Sequence, residues 1–127
     1  MPDPSPAPYR PVREALDLLL APGDVAEVRA IGEDGRVSSG YFDDRGAMAD
    51  QVEPMDASLE YRGIYVTLNP VNPALLARRA NRVVVRCGRQ DPTTADGDIV
   101  SRRWLPVDVD AVRPSGVSST AEEHAAA

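Results

Sequence analysis

Asp108 and Asp110 stand one residue apart at the end of the run Trp104-Leu105-Pro106-Val107-Asp108-Val109-Asp110. Side chains at i and i+2 of a strand share a face. The alternation therefore predicts both acids on one face, with Leu105, Val107 and Val109 turned into a core. Strand rise sets the two Cα atoms roughly 6.5 Å apart, a span from which both carboxylates reach a shared pair of divalent ions about 3.5–4 Å apart. Acids are depleted inside strands, so two of them closing an apolar run need either a cation or plain solvent. Pro106 lacks the N–H of a central strand and predicts an edge position or a bulge.

Downstream, Arg113-Pro114-Ser115-Gly116 reads as a tight loop, and Thr120-Ala121-Glu122-Glu123 has the spacing of a helix capping box. The order strand, loop, helix sets the acids at a sheet margin, where ligands bind. All fourteen basic residues are arginine, and Arg78, Arg79, Arg82, Arg86, Arg89, Arg102 and Arg103 concentrate ahead of the acids. Guanidinium forks suit phosphates, which makes Arg102, Arg103 and Arg113 candidate nucleotide or nucleic-acid contacts. A solvated charged face explains the same cluster equally well.

The whole chain narrows the choice. Its 127 residues suit one domain, and a net charge of −6 is a poor match for duplex binding by the whole surface. Twelve prolines and nine glycines predict many short elements, and one Trp, four Tyr and one Phe limit any base-stacking platform. Cys87 is the only cysteine, which excludes an intrachain disulfide and a cysteine-rich zinc site. The longest aliphatic run, Leu18-Leu19-Leu20, is far too short to span a membrane. These features predict a soluble cytoplasmic protein with no membrane partner.

Residues 1–8 alternate proline with small or acidic residues and read as a disordered tail. A packing helix begins at Pro11, presents Val12, Ala15, Leu16, Leu19 and Leu20, and stops at Pro22-Gly23. Ala26, Val28 and Ala30 alternate with Glu27 and Arg29, a half-buried strand that turns at Gly32-Glu33-Asp34-Gly35 into a second strand bearing Val37, Ser39 and Tyr41. Asp43 or Asp44 caps a helix over about residues 45–52. Ile64, Val66 and Leu68 mark a third strand, and Asn72 caps a short helix with Pro73 at its first position and Leu75, Leu76 and Ala80 packing. Val83-Val84-Val85 predict a buried strand, followed by a polar loop from Cys87 to Gly97 in which Thr93 or Thr94 caps a brief turn.

Three blocks in order resemble the front part of phage- and plasmid-type primase-polymerases of the archaeo-eukaryotic primase superfamily. They are Gly40-Tyr41-Phe42-Asp43-Asp44, the stretch from Tyr65 through Asn69-Pro70-Val71-Asn72-Pro73 to Arg78, and Asp98 through Arg102-Arg103-Trp104 to Asp110. Val112-Arg113-Pro114-Ser115-Gly116 is similar to the loop after that family's first acidic motif. The resemblance implies an α+β fold, with an N-terminal αβ module leading into the first strand of an incomplete RRM-like catalytic core over residues 9–127. It implies that Asp108 and Asp110 are catalytic and bind Mg²⁺ or Mn²⁺. The partners would be nucleotides and a single-stranded DNA template, with a replicative helicase domain possible in the parent. The family's serine–histidine motif and its further acid lie beyond the matched blocks, His124 does not match that pair, and Pro106 stands where an aliphatic residue is usual. The expected protein is thus an N-terminal fragment, inactive alone. Two other classes fit the residues: an Asp-x-Asp fragment binding a nucleotide-sugar, and a non-catalytic replication or partner-binding module with solvated acids.

Overall fold

The computed structural model describes residues 10–110. The predicted residue 1–8 tail, Arg113 with its loop, the capping box and His124 lie outside them. Pro11 opens helix α1 (Pro11–Leu19), its fixed φ suiting the first turn. After Leu20 the chain turns at Asp24, whose carboxylate accepts the Ala21 N–H at 3.0 Å. Strands β1 (Ala26–Gly32) and β2 (Val37–Phe42) form the expected antiparallel hairpin, with Ala26 opposite Phe42 and Ile31 opposite Val37.

Asp44 caps helix α2 (Arg45–Ser58), accepting from the N–H groups of Gly46 and Ala47 at 2.8 and 3.1 Å. α2 runs six residues past the expected end at Val52 and includes Pro54. Leu59, in the left-handed conformation, terminates it. Strand β3 (Tyr61–Val66) pairs with β1, and the short strand β4 (Arg82–Val84) pairs with β2. The result is a mixed α+β fold with a four-stranded antiparallel sheet of order β3-β1-β2-β4.

Alternation splits the sheet's side chains between two cores. On one face Ala26, Val28 and Phe42 pack with Leu16 and Leu20 from the α1 segment and with Met48, Ala49 and Val52 of α2. Each large side chain buried there contributes about 1.5–3 kcal/mol. On the other face Val25 and Tyr41 meet Val71 and Leu75. This second layer is made of irregular chain, a 3-10 helix (Pro73–Arg78) capped by Asn72 and a shorter one (Asp96–Asp98). It is stitched to the sheet at the start of the inner strand β1 by Val71 N–H to Val25 carbonyl at 2.9 Å and internally by Asn72 N–H to Asp98 carbonyl at 2.7 Å.

Four expectations are corrected. The third strand covers Tyr61–Val66 and ends before Leu68. Val85 is 62% exposed beyond the end of β4, because that strand lies at the sheet edge. Ala80 is exposed and forms a bridge to Tyr41, so it lies outside the short helix and does not pack as expected. Asp98, not a threonine, reaches back to the Ala95 N–H at 2.8 Å to close the turn near Ile99.

Candidate functional site

The segment carrying the two acids leaves the folded body at a defined point. Asn69, just past β3, clasps Trp104 through both ends of its amide: Oδ1 accepts the Trp104 N–H at 2.8 Å and Nδ2 donates to the Trp104 carbonyl at 3.1 Å. The Trp104 indole N–H donates to the carbonyl of Leu19 at the end of α1, 2.9 Å away. A side-chain amide thereby does for one residue what a neighbouring strand does for many.

Beyond Trp104 the expected strand does not form. Residues 105–110 pair with no described strand, and Leu105, Val107 and Val109 are exposed instead of turned into a core. The physical reason is the lack of a partner: alternation makes a strand only where a sheet edge and an apolar surface receive it, and Pro106 removes one donor. Asp108 and Asp110 are accordingly exposed. Among the described residues no three His, Cys, Asp or Glu side chains group to hold a metal ion. The pair fits a divalent cation as two hard oxygen donors of an incomplete ligand set.

The candidate phosphate contacts part company. Arg102 is exposed and makes no ion pair among the described residues. Arg103 is engaged, its Nη1 lying 2.6 Å from Asp24 Oδ2. The Arg103 hydrogen bond holds the Asp24 carboxyl below its ordinary value of 3.8, helped by the Ala21 N–H and opposed by partial burial. The pair's contribution to stability is present above pH 3.8 and is lost as pH falls through the lower folded value. It is small, as ion pairs near solvent are. In an NMR titration the Asp24 carboxyl should have a midpoint below 3.8 and move back toward that value in Arg103→Ala; an unchanged midpoint would remove Arg103 as its partner.

The most heavily buried polar cluster lies on the sheet face opposite the helices, and the pattern reading of β1 missed it. Glu27 is wholly buried. Its Oε2 accepts from Ser39 Oγ at 2.5 Å, and its Oε1 accepts from Arg29 Nε at 2.7 Å and from the Thr94 N–H at 3.1 Å. Arg79, 2% exposed, donates from Nη2 to Ser39 Oγ at 3.1 Å and to the Pro92 carbonyl at 2.6 Å, and the same nitrogen lies 3.8 Å from Glu27. Its guanidinium also lies 5.0 Å from the centroid of the Tyr41 ring, within reach of a cation–π attraction. Tyr41 in turn shares a hydroxyl hydrogen bond with Thr94 at 3.0 Å and accepts from Arg78 at 3.3 Å.

One carboxylate thus faces two guanidinium groups, and buried charge of that kind persists only with dense hydrogen bonding. Beside it opens a pocket of about 290 Å³ whose lining includes Glu27, Arg29, Tyr65, Thr67, Thr94 and Asp96. The usable sequence signal was the lone polar set of β1 falling opposite Ser39 and Tyr41 of β2. No family model, curated protein or solved structure matches the chain.

Among the described residues no helix is long and apolar enough to cross a membrane.

Proposed function

We propose that the chain is the N-terminal part of a DNA primase-polymerase used in replicating a phage, plasmid or similar element, with Asp108 and Asp110 the first acids of its nucleotidyl-transfer centre. One observation supports this most directly: the three sequence blocks that resemble that family meet in space. Tyr41 of the first block bonds Arg78 of the second. Asn72 of the second donates to the Asp98 carbonyl of the third, and Asn69 of the second clasps Trp104 of the third. The blocks therefore act as one structural unit whose outlet is the acid-bearing segment.

In the parent, residues 105–110 would form the first strand of an RRM-like catalytic half, which would bury Leu105, Val107 and Val109 and turn both acids to one side. The reaction would be attack of a 3′ hydroxyl on the α-phosphate of an incoming nucleotide, with pyrophosphate leaving. Asp108 and Asp110 would hold Mg²⁺ or Mn²⁺, which supplies Lewis-acid stabilisation of charge on the phosphate oxygens. A single-stranded template, and a helicase domain in the same parent, complete the proposal. With two acids of an incomplete set, the chain alone is expected to be inactive.

Calorimetric titration of Mn²⁺, with and without a dNTP, tests the assignment on the wild type and on the Asp108→Ala, Asp110→Ala double variant. Expected is weak binding that requires the acids and tightens with the dNTP. Absence of binding would remove the metal role from these residues in this chain. Tighter coupling to a nucleotide-sugar than to a dNTP would favour the Asp-x-Asp transferase class.

A further inference from the structure

The Tyr65 ring does not stand up from the sheet as side chains on a strand commonly do. It lies back along β3 over Gly63, so that a Cβ on residue 63 would come within 2.6 Å of the Tyr65 hydroxyl and 2.8 Å of Cζ. The missing side chain at Gly63 is what lets the ring lie down. Tyr65 is 60% exposed, and it forms part of the pocket wall. A flat, accessible aromatic face on an antiparallel sheet is a stacking platform.

Directly across the β1–β3 pairing from Tyr65 is Arg29. Its guanidinium is fixed by Glu27, which accepts from Nε, and by the Thr94 carbonyl, which accepts from Nη2. Nη1 has no partner among the described residues, and the side chain is 37% exposed. A guanidinium held by two bonds with one donor edge left over is prepared for an anion. Its buried surroundings strengthen the preference: Arg29 and Arg79 share the single carboxylate of Glu27, and Arg78 beside them donates only to the neutral Tyr41 hydroxyl and Thr93 carbonyl. The Asp96 carboxylate, also on the wall, repels a phosphate and accepts from N–H donors, so a ligand with one anionic and one donor-bearing end is oriented.

We infer that this pocket binds one nucleotide unit, with the base stacked on Tyr65, the phosphate toward Arg29 and base N–H groups toward Asp96. Naming the ligand a nucleotide rests on the proposed function above; the ring and guanidinium arrangement does not. The unit is either a free nucleotide or one residue of a single strand.

The test uses a fluorescein-labelled oligo-dT, read by anisotropy at low salt in EDTA, so that metal binding at Asp108 and Asp110 plays no part. Tyr65→Ala should weaken binding about tenfold, while Tyr65→Phe, which keeps the ring, should change it less than about twofold. Gly63→Ala, which keeps Tyr65 but displaces its flexible ring tip, should also weaken binding. Competition by dTTP assigns the pocket to a free nucleotide, and failure of dTTP to compete at millimolar concentration assigns it to a residue of a strand. Oligo-dT binding that is indifferent to Tyr65→Ala, or no binding of either probe at millimolar concentration, would overturn the inference. Failure of the Mn²⁺ titration alone would leave it standing.

Discussion

Replacing Glu27 with alanine is expected to destabilise the protein by about 3–5 kcal/mol, the usual cost of leaving one member of a buried ion pair without its partner. Arg79 would keep Ser39 and the Pro92 carbonyl as neutral acceptors. It would lose its nearby carboxylate while already carrying an Nε that is buried without a partner. The Thr94 N–H and the Ser39 hydroxyl would lose their acceptor as well. Against a total stability of about 5–15 kcal/mol for a domain, this is a large fraction. With m near 2 kcal/mol/M, the urea midpoint should fall by roughly 2 M. The double variant Glu27→Leu, Arg79→Met removes both charges and should regain much of the loss, since buried ion pairs are often replaceable by apolar residues. A single variant within about 1 kcal/mol of the wild type would mean that the cluster does not hold the second layer to the sheet.

The second large effect is expected at Gly40. This residue lies in β2 opposite Val83 of β4. A Cβ there would overlap the carbonyl oxygen of Arg82 and would come within 2.9 Å of the Phe42 ring. The first obstacle is main chain and cannot swing aside, so accommodating valine requires β4 to move off the sheet. Gly40→Val should therefore cost about 3 kcal/mol, at the upper end of overpacking penalties. Amide exchange in residues 80–84 should rise more than in β1. Gly97→Ala is the contrast, because nothing lies within 4 Å of a Cβ at that position; it should fall within about 0.5 kcal/mol of the wild type. Equal effects at the two positions would show that close approach of β4 is not what Gly40 permits.

Local chemistry in the sequence announced most of the element starts between Pro11 and Pro73. The Pro11 start of α1, the β1–β2 alternation, the Asp44 cap and the Asn72-Pro73 helix start are signals carried by a few neighbouring residues, and each is realised. What alternation could not convey was the fate of the second sheet face. Glu27 and Arg29 read as the wet side of a half-buried strand, yet Glu27 is wholly covered. The covering layer comes from residues about 40–70 positions later and has little regular structure to advertise it. The long extent of α2 was hidden for a different reason: proline signals a helix break, but Pro54 is accommodated with the helix continuing to Ser58. The acid pair shows the opposite error. Its alternation was real as a pattern, but a strand is a relation between segments, and no described segment receives residues 105–110.

The clasp of Asn69 on Trp104 also sets a length scale. From a fixed Trp104, six further residues can extend at most about 20 Å, so Asp110 is confined to a small volume around one corner of the sheet. A second folded body that docks at that corner meets the acids at an effective concentration in the millimolar range or above. Weak intrinsic contacts would then suffice to assemble a composite centre. Asn69→Ala, by lengthening the free leash, would dilute the acids without touching either of them.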